Sequence, residues 1–208
     1  MTTMKKSISK ALIIFIKNPE KGKVKTRLAK TEGEDFALRT YLALQQKTKE
    51  VALKTNTQAF LFYSKEINTN DDWDNSRFKK LVQEGETLGD KMKAALKEVL
   101  SVSDKAVIIG SDCYDISAEV IEIAFSKLDE YDVVFGPAND GGYYLLGMNK
   151  LHPELFEGIE WSTQTVLKDS IMHLKEKNYF LLEELIDIDT IDDLKQTQLY
   201  DILKQQND

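Results

Sequence analysis

The run Ala-Leu-Ile-Ile-Phe-Ile at residues 11–16 constrains the fold most, because it is apolar at every position and the chain then turns at Asn18-Pro19. A half-solvated strand alternates apolar and polar residues. A short unbroken run of aliphatic and aromatic residues is instead a strand covered on both faces, as in a parallel sheet. The pattern returns in KAVIIGSD, residues 105–112, where the apolar run stops at Gly110.

The remaining chain alternates strand and helix signals. Residues 33–55 read as an amphipathic helix, with Phe36, Tyr41, Leu44, Thr48, Val51 and Ala52 near helical spacing. Strands are expected over 58–64, 78–84, 131–138, 142–148 and 179–185, and a polar loop over 68–76. Helices are expected over 87–100, 117–128 with Ser117 as N-cap, and 162–178 with Ser162 or Thr163 as cap. A closing helix spans 190–203, where Thr190 and Asp193 are spaced as a capping box. This alternation predicts an α/β fold with a mainly parallel sheet, and the length predicts one domain over residues 1–208.

Charge and cysteine content narrow the function classes. A net charge of -7 argues against a protein that coats nucleic acid, which needs a broad basic face. The single cysteine, Cys113, allows no intrachain disulfide and fits a reducing compartment. Lys5, Lys6 and Lys10 before the apolar run loosely imitate a signal peptide, but the run is too short and charges follow it at once. No run is long enough to span a bilayer. A cytoplasmic protein without a membrane span is expected.

Against that acidic background, Lys17, Lys21, Lys23, Lys25, Arg27 and Lys30 cluster after the first strand, with Glu20 among them. In open α/β sheets ligands bind beyond the carboxyl ends of the strands. Loop backbone and cations at that place suit a phosphate, although neither G-x-x-x-x-G-K-[ST] nor G-x-G-x-x-G is present. Charge alone leaves a solvated basic turn as an equal reading. Asp112 ends a buried strand, where a carboxylate is placed to hold Mg²⁺ or Mn²⁺ against a diphosphate. Asp140 precedes Gly141-Gly142, which reads either as a ligand-approaching turn or as a plain hairpin. Asp187 and Asp189 share one side if their stretch is extended, and either completes a metal site with Asp112; the alternative is ordinary acidity at a helix start. Trp161, ahead of Ser162-Thr163, lines a pocket or serves as a hydrophobic staple.

Six segments in order, KNPEKGKVKTRLAK, QEGETLGDKM, IGSDCYDIS, GPANDGGYYLLG, FEGIEWST and LIDIDTIDDL, resemble the bacterial nucleotide-diphospho-sugar-transferase-like proteins of the DUF2064 group. Some members are labelled glycosyltransferases of arsenosugar biosynthesis. The group is similar to phospholactate guanylyltransferases and molybdenum-cofactor nucleotidylyltransferases. The resemblance implies a GT-A-type, Rossmann-like three-layer sandwich. It implies that Lys17, Gly22, Lys25, Arg27 and Lys91 bind nucleotide phosphates, and that Gly85, Leu88 and Gly89 meet the base or ribose. It implies Asp112 and Asp189 as ligands of Mg²⁺ or Mn²⁺, with Asp187 as substitute. Gly141, Gly142, Trp161, Ser162 and Thr163 fall on the substrate side, and Asp140 acts with Lys25 and Arg27 in catalysis.

The expected activity is metal-dependent glycosyl transfer from a nucleotide-diphospho-sugar to a small-molecule acceptor. The alternatives are a nucleotidylyltransferase that joins a nucleoside triphosphate to a phosphorylated small molecule, and a non-catalytic nucleotide-binding protein. Two positions depart from the group's pattern. Lys91 stands for Arg, keeping charge but not bidentate geometry. Tyr114 stands for Pro, which is expected to loosen the turn after Asp112.

Overall fold

The computed structural model describes residues 8–175 and 178–205, so Lys5, Lys6 and residues 176–177 of the helix expected over 162–178 lie outside the described residues. Strand β1 (Ile8–Ile16) is followed by helices α1 (Thr26–Glu32) and α2 (Glu34–Lys54), then by β2 (Gln58–Tyr63) and β3 (Phe78–Val82). Helix α3 (Leu88–Leu100), β4 (Ser103–Ile109), α4 (Ala118–Lys127) and the pair β5 (Val133–Pro137) and β6 (Tyr143–Met148) come next. A 3₁₀ turn (Pro153–Phe156), α5 (Val166–His173), β7 (Tyr179–Leu181), α6 (Ile191–Lys195) and α7 (Gln198–Gln205) complete the described chain.

The strands form a seven-stranded sheet in the order β3-β2-β1-β4-β6-β5-β7. All neighbouring pairs are parallel except those made by β6, which runs antiparallel to both β4 and β5. The exception follows from the connection. A tight turn at Ala138–Gly142 joins β5 to β6, and so short a link returns the chain antiparallel.

The unbroken apolar run does what its composition demands. Leu12, Ile14 and Ile16 enter one core with α2 and α4, while Ala11 and Ile13 enter another with α3. Each fully buried Leu or Ile side chain contributes about 1.5–3 kcal/mol, so β1 anchors both layers. A satellite core joins Leu28, Phe36 and Leu44 to Ile188, Leu194 and Leu203. It clamps residues near 188 beneath α1.

Several expected boundaries move. The last part of the basic stretch after β1, from Thr26 on, forms α1. The fifth helix starts at Val166, because Ser162 takes φ 66 in a turn. The last strand ends at Leu181, and the closing helix breaks between Lys195 and Gln198. Ser117 caps α4 through Val120 N, and Thr190 with Asp193 forms the expected capping box. Among the described residues no helix is long and apolar enough to cross a membrane.

Candidate active site

After β1 the chain builds β2 and β3 on one side, and then crosses to β4 on the other. The crevice beyond the carboxyl ends of β1 and β4 is therefore the place where such sheets bind ligands. A cleft of about 500 Å³ opens there.

Lys25 is the centre of its charged side. It is N-cap of α1 in the left-handed conformation (φ 46, ψ 47), strain of the kind concentrated at functional sites. Its side chain is only 3% exposed, with Nζ 2.7 Å from Asp112 Oδ1 and 3.6 Å from Asp189 Oδ1. Nζ also donates to Ile188 O. Burial pulls this ammonium down, but the charges of Asp112, Asp187 and Asp189 outweigh burial and hold it above its ordinary value. Arg27 Nη1 meets Asp189 Oδ2 at 3.2 Å. Ile188 N donates to Asp112 O at 3.0 Å, so the two acidic segments are stitched backbone to backbone. Ile188 is buried in the satellite core, and Asp187 and Asp189 on either side of it both line the cleft.

The carboxylates outnumber their cations. Burial first, then the charge of Asp112, pushes Asp187 up to about 7, with Lys25 opposing. Asp112 Oδ1 is buried without a properly angled hydrogen bond, its contact being the Lys25 ammonium. As the side chains stand, no described group of three or more His, Cys, Asp or Glu residues is arranged to hold a metal. The donor set nevertheless suits a hard divalent cation: carboxylate oxygens carrying uncompensated negative charge.

A raised carboxyl costs stability once ionised. Unfolded Asp187 titrates near 3.9 and folded Asp187 near 7, so stability falls as pH rises through that window and stays low above it. Asp187→Asn is expected to raise the unfolding midpoint at pH 8, in metal-free buffer, by about 4–8 °C. That corresponds to roughly 2 kcal/mol after discounting partial exposure. The gain should largely vanish at pH 4. An equal midpoint at pH 8 would mean that Asp187 carries no strain.

The other candidates fall into two groups. Lys17, Lys25, Arg27, Leu88, Asp112, Asp140, Gly142, Trp161, Ser162, Thr163, Asp187 and Asp189 all line the cleft. Gly22, Gly85, Gly89, Lys91 and Gly141 are not part of its wall. Gly89 acts from behind: a Cβ there would lie 2.5 Å from Trp161 Nε1, so the missing side chain lets the indole rest on α3. Trp161 also stacks on Phe156 at 6.5 Å and an interplanar angle of 18°. Gly141, at φ +87, would drive a Cβ to 2.1 Å from Gln164 O. Asp140-Gly141 is thus a true hairpin turn, and Asp140 still faces the cleft, with Oδ1 accepting from Gly142 N at 2.9 Å.

A model of the family described as "Uncharacterized protein conserved in bacteria (DUF2064)" matches residues 42–163. The chain belongs to the DUF2064 family. A solved structure of a candidate nucleotide-diphospho-sugar transferase from Desulfovibrio desulfuricans G20 is 27% identical over 95% of both chains, with TM-score 0.85. The inositol-1-phosphate CTP transferase from T. maritima shares the fold at 13% identity, over 97% of both chains, with TM-score 0.57. A manganese complex of Rv0371c from Mycobacterium tuberculosis H37Rv shares it at 12% identity, over 91% of this chain and 97% of that one, with TM-score 0.52. No curated protein matches the chain.

Of the two departures in this DUF2064 chain, Lys91 lies outside the cleft wall and Tyr114 is absorbed locally. Tyr114 packs against the satellite core with Lys47 over its ring at 5.2 Å, and Asp112 keeps its contact with Lys25. The packing of the ring opposes the loosening expected after Asp112. Sequence reading missed Tyr41, whose hydroxyl accepts from Lys17 N at 2.7 Å and donates to Lys17 O at 3.0 Å. Tyr41 sat on the apolar stripe of a helix and read as core. Gln83 was also missed, since it lay inside the expected strand over 78–84; β3 stops at Val82, and Gln83 Nε2 donates to Ile16 O at 3.2 Å and to Phe62 O at 3.1 Å.

Proposed function

We propose that this DUF2064 chain is a metal-dependent transferase that takes a nucleotide-diphospho-sugar donor and glycosylates a small-molecule acceptor. The observation that carries the reading is the Lys25–Asp112–Asp189 cluster, with Asp187, in a cleft at the switch point of the sheet. The similarity to the Desulfovibrio protein supports the donor class.

In glycosyl transfer the acceptor oxygen bonds to the anomeric carbon as that carbon's bond to the diphosphate oxygen breaks. The electron pair leaves with the nucleoside diphosphate. Lys17, Lys23 and Arg27 line the cleft and are exposed, so they offer counter-charge to that leaving group. Asp140, held by Gly142 N–H, takes the acceptor proton. Asp112 and Asp189, with Asp187, are the residues that would hold Mg²⁺ or Mn²⁺. Bound there, the ion would supply Lewis-acid stabilisation of diphosphate charge. The single, buried Cys113 supports a place in the reducing cytoplasm.

The number of exposed cations favours a second reading, nucleotidyl transfer. There an acceptor phosphate oxygen bonds to the α-phosphorus of a nucleoside triphosphate and pyrophosphate leaves. Thermal unfolding with nucleotide sugars and nucleoside triphosphates, each with and without Mn²⁺ or Mg²⁺, separates the two. A ligand at a hundred times its dissociation constant adds about 2.7 kcal/mol, a rise of about 5–10 °C for a chain of this size. The glycosyltransferase reading expects the largest metal-dependent rise with one nucleotide sugar. A triphosphate as best ligand transfers the assignment to nucleotidyl transfer, and no rise with any ligand removes both.

A further inference from the structure

The two edges of the sheet differ in chemistry. At one edge β3 carries Lys79 and Lys80, the kind of residue that keeps an open edge from pairing with another chain. At the other edge β7 reads Tyr-Phe-Leu and continues into Leu182, with no charge until Glu183.

The ladder decides which backbone groups of β7 are free. Asn178 O accepts from Val133 N at 3.3 Å, and Leu182 N donates to Phe135 O at 2.8 Å, so the even-numbered residues turn to β5. Successive residues of a strand aim their N–H and C=O at opposite neighbours. Those of Tyr179 and Leu181 therefore point away from the sheet, where no described strand pairs with them. Side chains alternate as well. Tyr179 and Leu181 share the face on which Tyr179 meets Phe135, and they are 38% and 43% exposed. Phe180 turns to the other face and packs on Tyr131 at 5.2 Å.

Two copies of this edge fit one another. About a two-fold axis at Phe180, antiparallel strands set Tyr179 opposite Leu181 of the partner subunit. These are the residues whose N–H and C=O are free, so each facing pair exchanges two hydrogen bonds. Each aromatic side chain then meets an aliphatic one across the strands. Charge selects the same direction. Exposed Lys175 precedes the strand, and exposed Glu183 and Glu184 follow it. Antiparallel pairing brings the basic end of one copy to the acidic end of the other, whereas parallel pairing sets Glu beside Glu.

We infer that β7 is a dimer interface: a second copy of this chain adds its own β7 antiparallel across a two-fold axis, and the two sheets become one. An interface this narrow corresponds to a dissociation constant on the order of 10 μM. Sedimentation equilibrium of the full chain between about 1 and 100 μM is therefore expected to show monomer and dimer with no larger species. Leu181→Lys places like charges beside the axis and acts twice, so it should weaken the dimer at least about tenfold. Leu181→Pro deletes the outward N–H, leaves the ladder to β5 intact and should do the same. Circular dichroism checks that both variants fold. If neither does, the charges decide: Lys175→Glu alone should weaken the dimer, and adding Glu184→Lys should restore it. A single-chain mass at every concentration overturns the inference, as does an open series of larger species. So does a dimer that survives both folded Leu181 variants, or one indifferent to the charge reversal.

Discussion

Asp112→Asn is expected to lower turnover by about a thousandfold and to abolish the extra thermal stabilisation that Mn²⁺ adds to bound nucleotide. Losses of this size follow when one preorganised group facing developing charge is removed. The substitution keeps shape and deletes one negative charge. That charge is the nearest charged partner of Lys25, at 2.7 Å, and the largest charge raising Asp187. The variant should therefore be locally neutralised rather than broken. Lys25 keeps Asp189 and Ile188 O, so the fold should lose only about 1 kcal/mol. Initial rates, with unfolding midpoints beside them, check both halves. Turnover within tenfold of the parent would take Asp112 out of the mechanism, and a large drop in midpoint would make its role mainly structural.

Lys25→Met is expected to cost about 3–5 kcal/mol, the penalty for breaking a buried ion pair from one side. Met matches the volume of the stem but removes the ammonium that holds Asp112 and Asp189 and offsets Asp187. Backbone strain does not change, because both residues meet the same left-handed conformation. The unfolding midpoint should fall by about 10 °C. The deficit should shrink as pH drops and the freed carboxylates take up protons. Mn²⁺ without nucleotide should stabilise this variant more than the parent, since a bound cation replaces the missing charge. A loss below about 1 kcal/mol, or indifference to Mn²⁺, would mean that the acidic group needs no central cation.

Much of the scaffold is legible because local chemistry leaves little choice. An unbroken apolar run has no solvated face to offer, so β1 and β4 are interior strands wherever they fall in the order. Ser117 and the Thr190–Asp193 pair cap helices through partners within a few residues. The antiparallel placement of β6 hid behind the same Asp140-Gly141 pair that marked a ligand turn. The turn is a hairpin, and it also places Asp140 along the cleft. The start of α5 was misread because Ser162 and Thr163 are good caps in isolation, yet Ser162 takes a left-handed conformation there.

Sequence alone determined the α/β alternation, the interior strands and the acidic and basic residues gathered at the strand ends. Only the tertiary structure decided what those charges do. Among the cations of the first loop, Lys21 turns to Asp35 and Lys23 to Glu20, while Lys25 buries itself against Asp112. The Lys25 ammonium meets the carbonyl of Ile188, far along the chain. Propensity and periodicity report on neighbours a few residues away, whereas this ion pair and the locked amide of Gln83 exist only because the sheet brings distant strand ends together.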